Sequence, residues 1–208
     1  MSTTLFLLSP ATLNGLRSKQ LTSPRAKFAV AERYRSEAGV EIADAFAFMS
    51  ALYFRGKIAY ARRFAVPAPA IGGNGIFVIT SGYGLVPPDW CINEERMKRM
   101  RRIDIDADSR MYAKPLRDHA QLIARALGDD PDAQVVLLGS VATGKYVDIL
   151  WPILGTRLRF PSAFAGLGDM ARGGLMLRSA RMGIELDYTT LDANRKRPKG
   201  ATGKMPAL

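Results

Sequence analysis

"FVITSGYGLVPPDW", residues 77–90, opens as a short apolar run rich in β-branched and aromatic side chains and closes as a loop of hydroxyls, glycines and prolines. A run of this length bounded by turn formers reads as a buried strand, here Ile76 to Thr80. Gly82, Gly84 and the pair Pro87 and Pro88 form turns through their own backbone limits. Thr80, Ser81 and Tyr83 therefore stand where a core strand meets a loop, either as parts of a turn or as the lip of a binding site. Two other runs share this character, residues 5–8 ("LFLL") and 134–139 ("QVVLLG"), and helical patterns fill the chain between them. Buried strands alternating with helices predict an α/β fold (mixed α+β). It is expected to be a single compact domain over residues 1–192, with a central mixed sheet and surrounding helices.

Ser23 and Pro24 have the pattern of an N-cap followed by proline at the first helical position, which predicts a helix through about Glu37, stopped by Gly39. Residues 41–56 ("EIADAFAFMSALYFRG") suit a mostly buried helix closed by Gly56, and residues 57–65 ("KIAYARRFA") begin a second helix with a basic face. A long helix is expected from Ser109 to Leu127, with Pro115 near its start. The stretch 140–155 ("SVATGKYVDILWPILG") starts a helix that Pro152 kinks or ends. "RLRF", the helix in "DMARGGLMLRSARMG" and a strand in "IELDY" (184–188) complete the core.

With 208 residues, 48% of them hydrophobic, the chain can bury the core of one domain. Thirty Lys and Arg against nineteen Asp and Glu give a net charge of +11. So positive a surface field makes a polyanion the first partner to consider. One cysteine, Cys91, and one histidine, His119, exclude an intrachain disulfide and a closed four-ligand Cys/His metal site. No cofactor is expected, and the reducing cytoplasm is the expected compartment. No Lys or Arg precedes the apolar run at residues 5–8, so that run reads as a strand rather than an export signal. No stretch approaches the roughly 20 apolar residues needed to span a bilayer.

Four motifs invite chemistry. "GSVATGK", residues 139–145, has the spacing of a phosphate-binding loop after a buried strand, but Tyr146 stands where a hydroxyl would hold magnesium. Ser140, Thr143 and Lys145 at a helix start would still make an anion cradle without hydrolysis. "DIDAD", residues 104–108, lacks the glycine and the terminal glutamate of a calcium loop and reads as a solvated acidic turn. "RMKRMRR" places Arg96, Lys98, Arg99, Arg101 and Arg102 around two methionines, either as a plain charged helix face or as a helix end packed on one side and facing a polyanion on the other, before a short strand in "IDID". The basic stretch 193–208, with Arg195, Lys196 and Arg197, is expected to be a flexible tail that follows a phosphate backbone. In "DMARGGLMLR", Gly173 and Gly174 serve close helix packing or ligand access to the backbone, with Arg172 forking onto a carboxylate or phosphate.

The order of five segments resembles the YaaA family, bacterial peroxide-stress proteins that bind DNA. They are "FLLSPATL", "ALYFRG", "TSGYGLVPPDWCINEERMKRM", "LLGSVATGKYVDIL" and "MARGGLMLR", spanning about residues 5–178. The resemblance implies a fold of mixed helices and strands with a basic DNA-binding cleft, and a stress-response role. Ser9, Tyr53, Arg55, Thr80, Ser81, Gly82, Ser140, Thr143 and Arg172 would then join the basic run as binding residues. The expected function is binding of nucleic acid, DNA in preference to RNA, with a pocket that receives a nucleobase. If glycosylase or lyase chemistry occurs, Lys145 would be the nucleophile, Tyr83 or Tyr146 would stack on the base or donate a proton, and Arg172 would hold the flanking phosphate. The alternatives are an enzyme acting on a free nucleotide or nucleobase and a non-catalytic DNA-protecting module.

Overall fold

The computed structural model describes residues 2–191. In chain order the elements are β1 (Thr4–Leu8), α1 (Leu16–Leu21), α2 (Ala29–Arg35), β2 (Val40–Glu41), α3 (Ile42–Phe64), β3 (Ile76–Thr80), β4 (Gly84–Val86) and β5 (Cys91–Ile92). They continue with α4 (Glu94–Arg101), α5 (Arg110–Leu127), β6 (Gln134–Leu138), α6 (Val147–Leu154), β7 (Leu158–Pro161), α7 (Asp169–Met182) and β8 (Tyr188–Thr190).

Six strands form one sheet in the order β4-β3-β1-β6-β7-β8. Its centre, β3, β1, β6 and β7, is parallel, and the edge strands β4 and β8 are antiparallel to their neighbours. Parallel strands need crossover helices, which cover both faces. Alternation along β1 divides the core accordingly. Phe6 and Leu8 face a layer built from α3, α7 and the shorter helices, while Leu5 and Leu7 face α5 and α6. The chain is thus a mixed α/β domain with helices on both sides of a mixed sheet.

Several local expectations are corrected. Ser23 and Pro24 do not start a helix: the Ser23 hydroxyl accepts from Arg25 N and its carbonyl from Ala26 N, closing a turn between α1 and α2. Such local bonding by a serine competes with helix formation. The helix expected to close at Gly56 runs through it to Phe64, and its one non-helical residue is Ala51, at φ 46° and ψ −122°. "IDID" is not a strand. The last strand lies at Tyr188–Thr190 rather than in "IELDY", because Leu186 N donates to the Tyr60 hydroxyl, which in turn meets the Tyr188 hydroxyl at 2.7 Å. The expected tail, with Arg195, Lys196 and Arg197, lies outside the described residues.

Gly56 continues the helix because its missing side chain is needed elsewhere. A β-carbon there would lie 2.5 Å from the Gly173 carbonyl oxygen, and one on Gly173 would lie 2.7 Å from the Leu52 oxygen and 2.8 Å from Tyr53 Cα. The backbones of α3 and α7 therefore touch. Gly174 differs, since its β-carbon would meet only the mobile end of Arg178 at 3.4 Å. Gly173→Ala is expected to destabilise the fold by about 3 kcal/mol, the upper end of overpacking costs. Gly174→Ala is expected to be neutral or stabilising by up to about 1 kcal/mol. Urea unfolding of the two variants measures the difference.

Candidate functional site

The chain leaves β1 for β3 on one side and β6 for β7 on the other, so the strand order reverses between β1 and β6. In open α/β sheets the crevice beyond the carboxyl ends of such a strand pair is the usual ligand position. β1 and β6 pair in register from Thr4 and Gln134 to Leu8 and Leu138, which makes Ser9 and Gly139 the next residues across the crevice. A β-carbon on Gly139 would stand 2.9 Å from Ser9 Cβ and 3.1 Å from its Oγ, so only glycine leaves the Ser9 side chain its place.

Behind Ser9 lies Lys57, 1% exposed. Its Nζ donates to Ser9 Oγ at 2.6 Å and to the Ser9 carbonyl at 3.0 Å, and lies 3.8 Å from the centre of the Tyr53 ring. Tyr53 and Lys57 share a face of α3 because they are four residues apart. Burial pushes the Lys57 ammonium down to about 7; Asp169 opposes that shift and Arg172 adds to it. The Tyr53 hydroxyl is buried and makes no hydrogen bond of acceptable geometry. Burial raises its pKa, and the nearby Arg172 guanidinium acts electrostatically against that rise. Burial also holds the Tyr146 phenol well above its usual range, with Tyr53 adding to the shift and Ser9 opposing it.

Arg172 reaches this cluster because it adjoins Gly173 at the helix contact. Its Nε and Nη2 donate to the Phe164 carbonyl at 3.2 and 3.0 Å, and its Nη1 lies 3.9 Å from Asp169. Two openings flank the cluster. A niche of about 20 Å³, lined in part by Gly139, Ser140, Phe164 and Arg172, has room for about one water. A groove of about 500 Å³ opens on the other side, bounded by residues 10–14, Ser81, Arg101, residues 103–106, Lys145 and Tyr146.

The structure thus gathers Ser9, Tyr53, Ser140, Tyr146 and Arg172 around one centre, with Ser81, Arg101 and Lys145 on the adjoining groove. The strand-end hydroxyls that mark the loop are committed internally: Thr80 Oγ1 donates to the Gly84 carbonyl and Ser81 Oγ to the Met100 carbonyl, so Thr80 belongs to the turn. Gly82 and Gly84 supply that turn with φ of 89° and 67°. Tyr83 leaves the centre to pack on Trp90 beneath Arg99.

The basic run is also partly committed. Arg101 donates to the Leu13 carbonyl, Ser18 and Thr22; Arg96 covers Trp90 and bonds the Cys91 carbonyl; Lys98 pairs with exposed Glu94. Met97 and Met100 are buried between them, as the alternation suggested. Arg102 and Arg55 are exposed.

The "GSVATGK" segment leads into the N-terminus of α6, with Asp148 N donating to the Gly144 carbonyl. α6 begins at Val147, Tyr146 is its N-cap, and Asp148 occupies the first turn, where its charge opposes an anion. Ser140 Oγ accepts from Ala142 N at 3.4 Å, and Thr143 and Lys145 are exposed. The desolvation that readies a lysine amine for chemistry is found at Lys57, not at Lys145. Lys57 had a signal in the sequence: it falls on the buried stripe of its helix, three residues from both Phe54 and Tyr60 and four from Tyr53, where a lysine is costly.

His119 sits against the Leu85 backbone, away from this centre. Among the described residues no group of three or more His, Cys, Asp and Glu could hold a metal ion, and no helix is long and apolar enough to cross a membrane. In comparisons with known proteins, no family model, no curated protein and no solved structure matches the chain.

The Lys57 environment has a stability consequence. Its amine is neutral in the folded protein above about pH 7 but stays protonated in the unfolded chain up to about its ordinary value of 10.5. Between these limits the unfolded state binds more protons, so stability rises with pH and the burial cost is fully present below about 7. Denaturant titrations of wild type and Lys57→Met from pH 7 to 10 are expected to differ in slope by up to about 1.4 kcal/mol per pH unit, the wild type being the steeper.

Proposed function

We propose that the protein binds nucleic acid, DNA in preference to RNA, and that the groove beside Tyr146 receives a nucleotide or nucleobase. The observation that carries this reading is the groove of about 500 Å³ at the carboxyl edge of the sheet, where exposed Lys145 stands beside the buried Tyr146 ring. Such a pairing suits a phosphate next to a flat base. The net charge of +11 favours a polyanion, and the ordered motifs that resemble the YaaA family point the same way. Asp104 and Asp106 line the same groove and would confine a phosphate to the Lys145 side.

A second reading, an enzyme acting on a free nucleotide, draws on the state of α4. Arg96, Arg99 and Arg101 contact the protein itself, which leaves fewer cations to follow a polymer. Fluorescence titrations with single-stranded DNA, duplex DNA, RNA and a mononucleotide at several salt concentrations separate the two. Polymer binding is expected to weaken steeply with salt, and Lys145→Ala to reduce the log–log slope by about 1. Salt-insensitive binding of the mononucleotide alone would favour the second reading.

A further inference from the structure

We propose that Ser9 is a nucleophile, with Lys57 as its general base, toward a small ester- or amide-type carbonyl. This chemistry goes beyond the binding reading and does not depend on it. The first support is geometric: Ser9 Oγ and Lys57 Nζ are 2.6 Å apart, and the amine is oriented by its second contact, with the Ser9 carbonyl, and by the Tyr53 ring. A nucleophile in hydrogen-bond reach of a base that is itself oriented is the arrangement of covalent catalysis, and serine paired with lysine is one of its forms.

The second support is independent. The Tyr53 hydroxyl, on a residue 8% exposed, has only the neighbouring Arg172 guanidinium within reach and makes no well-formed hydrogen bond, although buried polar groups are nearly always paired. An oxygen of a bound carbonyl compound would satisfy it, and a fixed donor aimed at developing negative charge is the largest single contribution in many acyl transfers. Ser9, 5% exposed, is next in sequence to Pro10 and Ala11, which line the groove, and packs against Gly139, which lines the niche. The niche has room for about one water, which is what the second half of a hydrolysis consumes.

In the first half of the reaction the neutral Lys57 amine takes the Ser9 hydroxyl proton as the Oγ–carbon bond forms, and the carbonyl π pair moves onto oxygen. Collapse of the adduct breaks the bond to the leaving group, which departs with the proton from Lys57. In the second half Lys57 deprotonates water, the hydroxide attacks the acyl carbon, and Ser9 Oγ leaves and recovers its proton. One water is consumed, one acid and one alcohol or amine are released, and nothing is oxidised or reduced.

The base works only when unprotonated. The groups facing Lys57 are Tyr53 on its own helix, Ser9 after β1, Asp169 and Arg172 on α7, and Tyr146 against Ser9. Asp169 and Arg172 act in opposite directions, and burial sets the balance near 7.

The test is reaction of the full chain with a small fluorophosphonate, followed by intact mass and peptide mapping. One adduct on Ser9 is expected, with a rate that climbs as pH rises through about 7 and then levels. Ser9→Ala should abolish it, and Lys57→Met should slow it by a factor on the order of 10² or more, the usual contribution of a general base. Circular dichroism checks that each variant is folded; should Lys57→Met fail to fold, the wild-type pH profile and Ser9→Ala carry the test. An unlabelled Ser9, or a labelling rate flat between pH 6 and 9, overturns the proposal. So does trapping of a small aldehyde on Lys57 by borohydride with Ser9 unlabelled, which would make the amine itself the nucleophile. Nucleic-acid and nucleotide titrations are unaffected by these outcomes, so failure here leaves the binding reading standing.

Discussion

Two helices meet with no side chain between them, and the candidate site follows from that contact. Because Gly56 and Gly173 let α3 and α7 touch backbone to backbone, Arg172 and Asp169 are carried to within electrostatic reach of Tyr53 and Lys57. A β-carbon at either glycine would push α7 outward and take the guanidinium with it. The sheet supplies the other half of the constraint. The register of β1 on β6 sets Ser9 against Gly139, and Ser9 is the residue that holds the Lys57 amine by two hydrogen bonds.

A lysine buried this deeply is not there for stability. Removing an ammonium from water costs several kcal/mol unless it is well paired, and Lys57 has two neutral oxygens and a ring rather than a carboxylate in contact. The fold bears that cost, together with a buried tyrosine hydroxyl that makes no well-formed hydrogen bond. Costs of this kind gather at functional sites, where environments are arranged to shift pKa values. The adjoining groove gives the centre a neighbour of a different character, open and lined by both cations and carboxylates, with Tyr146 belonging to both.

The architecture was readable because its strands are short apolar runs with clear ends. β3 begins and ends where the residue types change, and β1 and β6 follow the same rule. Boundaries set by tertiary contacts were not readable: Gly56 looks like a helix stop from its backbone, and only α7 explains why it sits mid-helix. The site was legible in part. Ser9, Tyr146 and Arg172 stand at or near ends of elements, whereas Tyr53, expected near a helix end, lies inside α3, and Thr80 and Ser81 follow the strand-end logic yet close a turn and bind a carbonyl. In sequence Lys57 reads as one more cation in "KIAYARRFA", whereas Lys145 stands in a recognisable motif. The periodicity of the helix, counted from Tyr53, places it inside.

The most direct measurement is the titration of the Lys57 amine itself, followed through its Cε and Nζ resonances by NMR and assigned with Lys57→Met. A midpoint near 7 is the result this account requires, because burial in contact with neutral oxygens has to disfavour the charged form. A midpoint near the ordinary lysine value of 10.5 would mean that Lys57 stays charged, and the centre around Ser9 would then be an internal anchor without a base.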